Sequence, residues 1–270
     1  MDKRITDQAE GLRRLLAGRA TRIVAVTGGP TGVGCTSAVV NLAAALAALG
    51  KDVLVVDERN DADSAAATLG SAWLRTGNTV RHEAGFSLCV AADLARDGYD
   101  DERLAAYLEG AADIVLVDAQ RDANGALSAL ARAAHDVLIV TRVAGSAITE
   151  AYACMKRLHY AHALAQFRVL VNHVQSESDA RAAYENLAGV AGRYLTVALA
   201  EGGYVSADPL VPRARELVHT VVDAFPSSAA ARDYRQIASD LLYWPMRPTN
   251  LAGRAFAGHP AVERGAAHAV

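Results

Sequence analysis

Cysteine is scarce in this sequence, and no apolar run is long enough to cross a bilayer. The three cysteines, Cys35, Cys89 and Cys154, are odd in number and stand at unrelated spacings, without a CxxC or a Cys/His metal pattern. That argues against a disulfide framework and fits a reducing, cytoplasmic setting. No stretch approaches the roughly 18 residues of a membrane span, and the opening MDKRITDQAEGLRRLLAG is too charged for a secretory signal. A soluble chain is expected. An excess of positive charge is also lacking. The formal net charge is -3 and the 27 Lys and Arg are scattered, so direct nucleic-acid binding is not indicated. The 8 histidines form no His-x-x-x-His pair.

What is present is aliphatic. With 270 residues, 52% of them hydrophobic, the chain can bury a large core and suits one generous α/β domain. Apolar runs recur as RIVAVT (22–27), DVLVVD (52–57), SLCVAA (87–92), DIVLVD (113–118), DVLIVT (136–141), FRVLVN (167–172) and YLTVAL (194–199). Each is followed by an alanine-rich segment of helical period, the pattern of an α/β fold with a doubly wound, mostly parallel sheet and helices on both faces. The helix SAVVNLAAALAALGK is expected to end on Gly50, and SAITEAYACMKRLHYAHAL to open on Ser146 or Thr149. Runs ending in Thr27, Asp57, Asp118, Thr141 and Asn172 set polar residues along the carboxyl edge, where open α/β sheets bind ligands. Residues 1–20 read as a short charged helix, 21–244 as the main domain, and 245–270 as an aperiodic, flexible tail.

The stretch IVAVTGGPTGVGCTS (23–37) has the frame of a phosphate loop. Gly28, Gly29, Gly32 and Gly34 let the backbone curl with its amides toward an anion, and the helix that follows adds its dipole. Val33 and Cys35 complete the turn, and Thr36 and Ser37 offer hydroxyls of the kind that ligate the Mg²⁺ of a nucleoside triphosphate. Asp57 and Asp118 end strands where a magnesium-linked site needs carboxylates, so Thr36, Asp57 and Asp118 are the metal candidates. A strand–turn–helix needing glycine only for close packing is the alternative. Cys35 has no His or Asp at a motif spacing that would make it a nucleophile.

VTGGPTGVGCTSAVVNLAAALAALGKDVLVVD resembles the MinD/ParA P-loop ATPases, whose loop is written xKGGxGK[ST]. AHDVLIVTRVAGSAITEAYACMKRLH and FRVLVNHVQSESDARAAYENL are similar to later segments of that family, the second ending its strand on an asparagine that contacts adenine, here Asn172. The opening DQAEGLRRL resembles the DQAxxLR motif of the flagellar-number regulators of the FlhG (FleN) type, with Asp7, Gln8, Ala9, Leu12 and Arg13 matching. The resemblance spans roughly residues 5 to 240. It implies an ATP/ADP and Mg²⁺ site, a homodimer, and a regulator of flagellar number, placement and assembly. It also implies an N-terminal segment, Asp7, Gln8, Leu12 and Arg13 included, that stimulates an FlhF-type GTPase. A flagellar transcription regulator or basal-body component is a further candidate partner.

The departures from that pattern concern charge. Pro30 stands at the signature lysine and Cys35 at the loop lysine, so both phosphate-directed cations are missing. Arg59 replaces the second aspartate of Asp-x-Asp, which positions the attacking water, and DAQRDANG replaces the usual Asp-x-x-Ala-Gly after Asp118. Weakened nucleotide binding and lost or very slow hydrolysis are therefore expected. An active, membrane-cycling ATPase and a nucleotide-free scaffold remain the alternatives. For ARDYRQIASDLLYWPMRP, with Tyr234, Ile237, Leu241, Leu242 and Trp244, two readings stand: a peripheral contact with the inner membrane, or packing on the domain.

Overall fold

The computed structural model describes residues 21–70, 79–92 and 112–246. Along these segments the elements are β1 (Arg22–Gly28), α1 (Cys35–Ala48), β2 (Val53–Asp57), α2 (Ala65–Thr68), β3 (Val80–Arg81), β4 (Ser87–Val90), β5 (Ile114–Asp118) and α3 (Ala129–Arg132). They continue with β6 (Asp136–Thr141), α4 (Gly145–His162), β7 (Gln166–Val174), α5 (Glu177–Tyr194), β8 (Ala198–Ser206), α6 (Leu210–Glu216), α7 (Val221–Ala224) and α8 (Ala229–Leu241). The strands form one sheet in the order β3-β4-β2-β5-β1-β6-β7-β8. Every pairing is parallel except β3 with β4.

Both faces of the central strands are buried, which is why they read as continuous apolar runs. Alternate side chains divide between two cores. Val24, Val26, Val53, Val55, Leu116 and Leu138 pack beneath α1 and α8. Ile23, Ala25, Val56, Val115, Val117 and Ile139 pack beneath α4 and α5. The doubly wound sheet expected from the sequence is present.

Its margins differ from the expectation in several places. YLTVAL is not the last strand: Tyr194 ends α5, and β8 begins at Ala198. This edge strand is only partly buried, so its AEGGYVS segment carries no apolar run. A Cβ at Gly202 would stand 2.5 Å from Leu138 Cδ1, and Gly203 has φ +99, so the β7–β8 contact requires both glycines. β3 is a two-residue antiparallel edge strand, too short to show a pattern. Helix α4 opens after Ala144, leaving Ser146 and Thr149 inside it, with the Thr149 hydroxyl donating back to Gly145 O at 2.9 Å. The end of α1 does use Gly50, at φ +75, and Lys51 N–H closes the turn onto Leu46 O at 3.2 Å.

The C-terminal amphipathic stretch is packed on the domain. Tyr234, Ile237 and Leu241 of α8 are buried against the α1 side of the sheet, and Trp244 is nearly so. The Arg168 guanidinium lies 4.1 Å over the Trp244 ring, and Arg22 donates to the Trp244 carbonyl. Both arginines share the fully buried Asp136, at 3.2 Å from Arg22 and 3.0 Å from Arg168. This network clamps the end of α8 at the amino edge of the sheet, opposite the glycine-rich turn. Among the described residues no helix is long and apolar enough to cross a membrane. Asp7, Gln8, Leu12 and Arg13, and the tail beyond Met246, lie outside the described residues.

Candidate functional site

The turn between β1 and α1 is shaped by contacts that leave no room for side chains. A Cβ on Gly28 would lie 2.7 Å from both Cys35 Sγ and Val140 O, and one on Gly34 would lie 2.2 Å from Asn172 Nδ2. Gly34 adopts φ 103 as the N-cap of α1, a conformation that disfavours other residues. It offers no side-chain cap, and no acidic residue sits in the first turn of α1. The first amides of a helix have no intrahelical acceptor. With no built-in acceptor here, the positive end of α1 is arranged for an external anion.

Thr36 Oγ1 donates to Asp118 Oδ2 at 2.7 Å, joining the start of α1 to the end of β5. The other oxygen, Asp118 Oδ1, is buried without a partner. Burial, followed by the nearby Asp57 charge, raises the Asp118 carboxyl to about 7, against the bond from Thr36. Asp57 is in register with Asp118 across the β2–β5 pair, but its oxygens are engaged. Oδ1 accepts Arg59 N–H at 3.0 Å, and Oδ2 accepts Ala66 N–H at 2.7 Å. Asp57 therefore fastens the loop that leads into α2. A hydroxyl beside a carboxylate with an orphaned oxygen fits a hard divalent cation. Of the three metal candidates, Asp118 alone has a carboxylate oxygen with no partner, while Thr36 and Asp57 are already hydrogen-bonded.

A cleft of about 780 Å³ opens over the turn. Gly29, Gly32, Val33, Gly34, Cys35, Thr36, Ser37 and Asn172 all line it, so the nucleotide candidates converge on one place. Burial, with the Asp118 charge second, pushes the Cys35 thiol up to about 12. Cys35 is thus a neutral group that neither repels phosphate nor serves as a nucleophile at ordinary pH. The Asn172 amide donates to Val33 O at 2.8 Å, and its oxygen accepts His173 N–H at 2.9 Å. It fastens β7 to the glycine turn. Asn41, the asparagine that continues the first helix, accepts Val221 N–H at 2.7 Å and so ties α1 to α7.

Four arginines, Arg59, Arg121, Arg142 and Arg215, line the same cleft. Sequence reasoning singled out only Arg59. Its guanidinium pairs with Asp61 at 2.5 Å, and Arg215 pairs with Asp63. Arg121 reaches from the loop after β5 to donate to Gly29 O at 3.0 Å. Arg142, immediately after β6, keeps a buried Nε without a hydrogen-bond partner. The signals for these two were present as the irregular DAQRDANG and as a charge directly after DVLIVT.

Residues 24–216 match the CobQ/CobB/MinD/ParA nucleotide binding domain. The chain belongs to this family. Antiactivator FleN of Pseudomonas aeruginosa is 30% identical to this chain over 256 residues, covering 86% of this chain and 90% of FleN. The MinD cell division protein of Aquifex aeolicus superposes with a TM-score of 0.60 at 20% identity, over 84% of this chain and 99% of its own. MinD from Pyrococcus horikoshii, solved with Mg-ADP, gives 0.58 at 19% identity over 82% and 96%. The MinD/ParA resemblance and the P-loop fold read from the sequence both hold.

Proposed function

We propose that this MinD-like chain regulates flagellar number or placement, binding ATP or ADP with Mg²⁺ in a weakened site and turning it over slowly or not at all. The observation that carries the reading is the uncapped start of α1 beside Thr36 and the half-satisfied Asp118, in a chain that matches FleN over most of both lengths. Amides of the glycine turn and the dipole of α1 would hold the phosphates. Thr36 and Asp118 would hold Mg²⁺, which neutralises phosphate charge when bound. Neither Pro30 nor Cys35 adds a cation. At the position that orients water in relatives, Arg59 has no acceptor to offer, and its charge is turned to Asp61. Affinity therefore falls, and turnover falls further.

A second copy of the chain, an FlhF-type GTPase and a flagellar transcription regulator or basal-body component are the proposed partners. The name antiactivator borne by FleN supports the transcriptional one. The GTPase would be engaged through Asp7, Gln8, Leu12 and Arg13, with the apolar stripe docking and Gln8 reaching the catalytic centre. A cytoplasmic site of action is proposed. The loss of both loop lysines favours a nucleotide-free scaffold as the second reading. Adding the full chain to an FlhF-type GTPase is expected to accelerate GTP hydrolysis, and Gln8→Ala to reduce the effect. An unaltered rate with both proteins contradicts the flagellar assignment and leaves the fold untouched.

A further inference from the structure

The cleft keeps the shape of a phosphate site after losing the charge that such sites use. The only lysines in the chain are Lys3, Lys51 and Lys156, and neither Lys51 nor Lys156 lines the cleft. Among the described residues that line the cleft, the lasting positive charge comes from arginine alone. Two of the four arginines already have a carboxylate partner, Arg59 in Asp61 and Arg215 in Asp63. No carboxylate lies within ion-pair distance of Arg121 or Arg142 among the described residues.

These two sit where a phosphate chain would need them. Arg121 is bonded to the carbonyl of Gly29, inside the turn, which holds its guanidinium against the glycine turn in the wall of the cleft. One nitrogen is used there, leaving other N–H donors of the fork for a ligand. Its positive charge is felt at Cys35, after that of Arg59. Arg142 follows the strand whose residue Val140 lines the back of the turn, and its buried Nε lacks any acceptor. Leaving a buried donor of a charged group unmade is costly, and a bound anion oxygen supplies the acceptor. Guanidinium groups also match phosphate geometry with two parallel bonds, where a lysine offers a point charge.

We propose that Arg121 and Arg142 replace the two missing lysines as the phosphate-binding cations of this cleft, with the phosphates of a nucleoside di- or triphosphate as their ligand. The proposal rests on the nucleotide reading of the cleft and names the residues that make it work. Arginine has thereby taken over, from two neighbouring loops, a task that relatives place within the glycine turn itself.

Calorimetric titration of the full chain with MgATP, magnesium pyrophosphate and adenosine tests it. Arg121→Gln and Arg142→Gln are each expected to weaken MgATP and pyrophosphate by about tenfold or more, while adenosine is unaffected. Arg213→Gln, whose exposed side chain pairs with Glu216 outside the cleft, is expected to bind as the unaltered protein does. Cys35→Lys should rescue Arg121→Gln, because it returns a cation to the turn; a purely structural arginine would not be rescued in this way. A readout on the unaltered chain covers a variant that fails to fold: MgATP should protect Arg121 and Arg142 from phenylglyoxal. Binding by the unaltered protein that survives both glutamine substitutions, or no protection at either arginine, overturns the arginine proposal and spares the nucleotide reading. No binding of MgATP or pyrophosphate by the unaltered protein overturns both.

Discussion

The hydroxyl of Thr36 donates to Asp118 across 2.7 Å, and the second oxygen of that carboxyl has no partner at all. The bond joins the first turn of α1 to the end of β5. It leaves half of a carboxyl pointed at nothing in a fully buried position. A divalent cation would complete this arrangement, and the raised carboxyl is expected to make the site responsive to pH.

Burial holds the Asp118 carboxyl at about 7, well above the range of an unfolded chain. Because the folded value is raised, the associated stability is fully present below about 4 and is lost as the pH rises through about 7. The metal-free protein is expected to lose thermal stability across that window, by at most a few kcal/mol. Asp118→Asn should flatten the drift. Magnesium should restore stability above about 7, since it binds the ionised form. Melting curves from pH 4 to 8, with and without Mg²⁺, check this. A profile identical in the Asp118→Asn variant would exclude the carboxyl as the cause.

The thiol of Cys35, raised to about 12 by burial, is expected to resist alkylation by iodoacetamide at pH 8. Cys35→Lys should tighten MgATP by about tenfold or more, the scale of one charged hydrogen bond. It should not restore a normal rate of phosphate release while Arg59 occupies the water-positioning place. Rapid alkylation of Cys35 in the native protein would contradict the first statement. Full turnover of the lysine variant would contradict the last.

Asn172 is expected to matter to the loop as well as to a base. Asn172→Ala removes the bond to Val33 O and the one from His173 N–H. A stability loss of about 1–3 kcal/mol is expected, together with faster amide exchange in the glycine turn. If the alanine variant matches the unaltered protein in both, the fastening role is wrong. For nucleotide binding, Asn172→Ala should cost more than Thr36→Ala, because a base contact does not depend on the missing loop charges.

Helix α8 is part of the core, so Leu241→Ala should destabilise the fold by about 2–5 kcal/mol. Denaturant unfolding reads that directly. A change below about 0.5 kcal/mol, the usual scale for exposed positions, would mean that the helix is held for another surface.

Much of the sheet was legible because parallel strands buried on both faces leave an unbroken apolar signature, as in DIVLVD and DVLIVT. β8 was misplaced for the opposite reason. It is an edge strand with Gly202 and Gly203 at its middle, and YLTVAL before it is more apolar than the strand itself. The glycine turn and Thr36 were placed by spacing, since a phosphate cradle demands small residues at fixed intervals, and Asp118 by its position at the end of an apolar run. The backbone bonds of Asp57 were not legible, because sequence cannot tell a carboxylate with no local partner from one that also accepts backbone amides, here those of Arg59 and Ala66. Arg121 and Arg142 were invisible as a pair. They lie in loops after different strands, and only the order β5-β1-β6 brings them to one turn.

The measurement that bears most directly on the central claim is a calorimetric titration of the full chain with ATP in the presence of Mg²⁺, followed by an assay of phosphate release on the same sample. Saturable, magnesium-dependent heat with release near background is the predicted result. Absence of binding at millimolar ATP, or release as fast as that of a lysine-bearing relative, would contradict it.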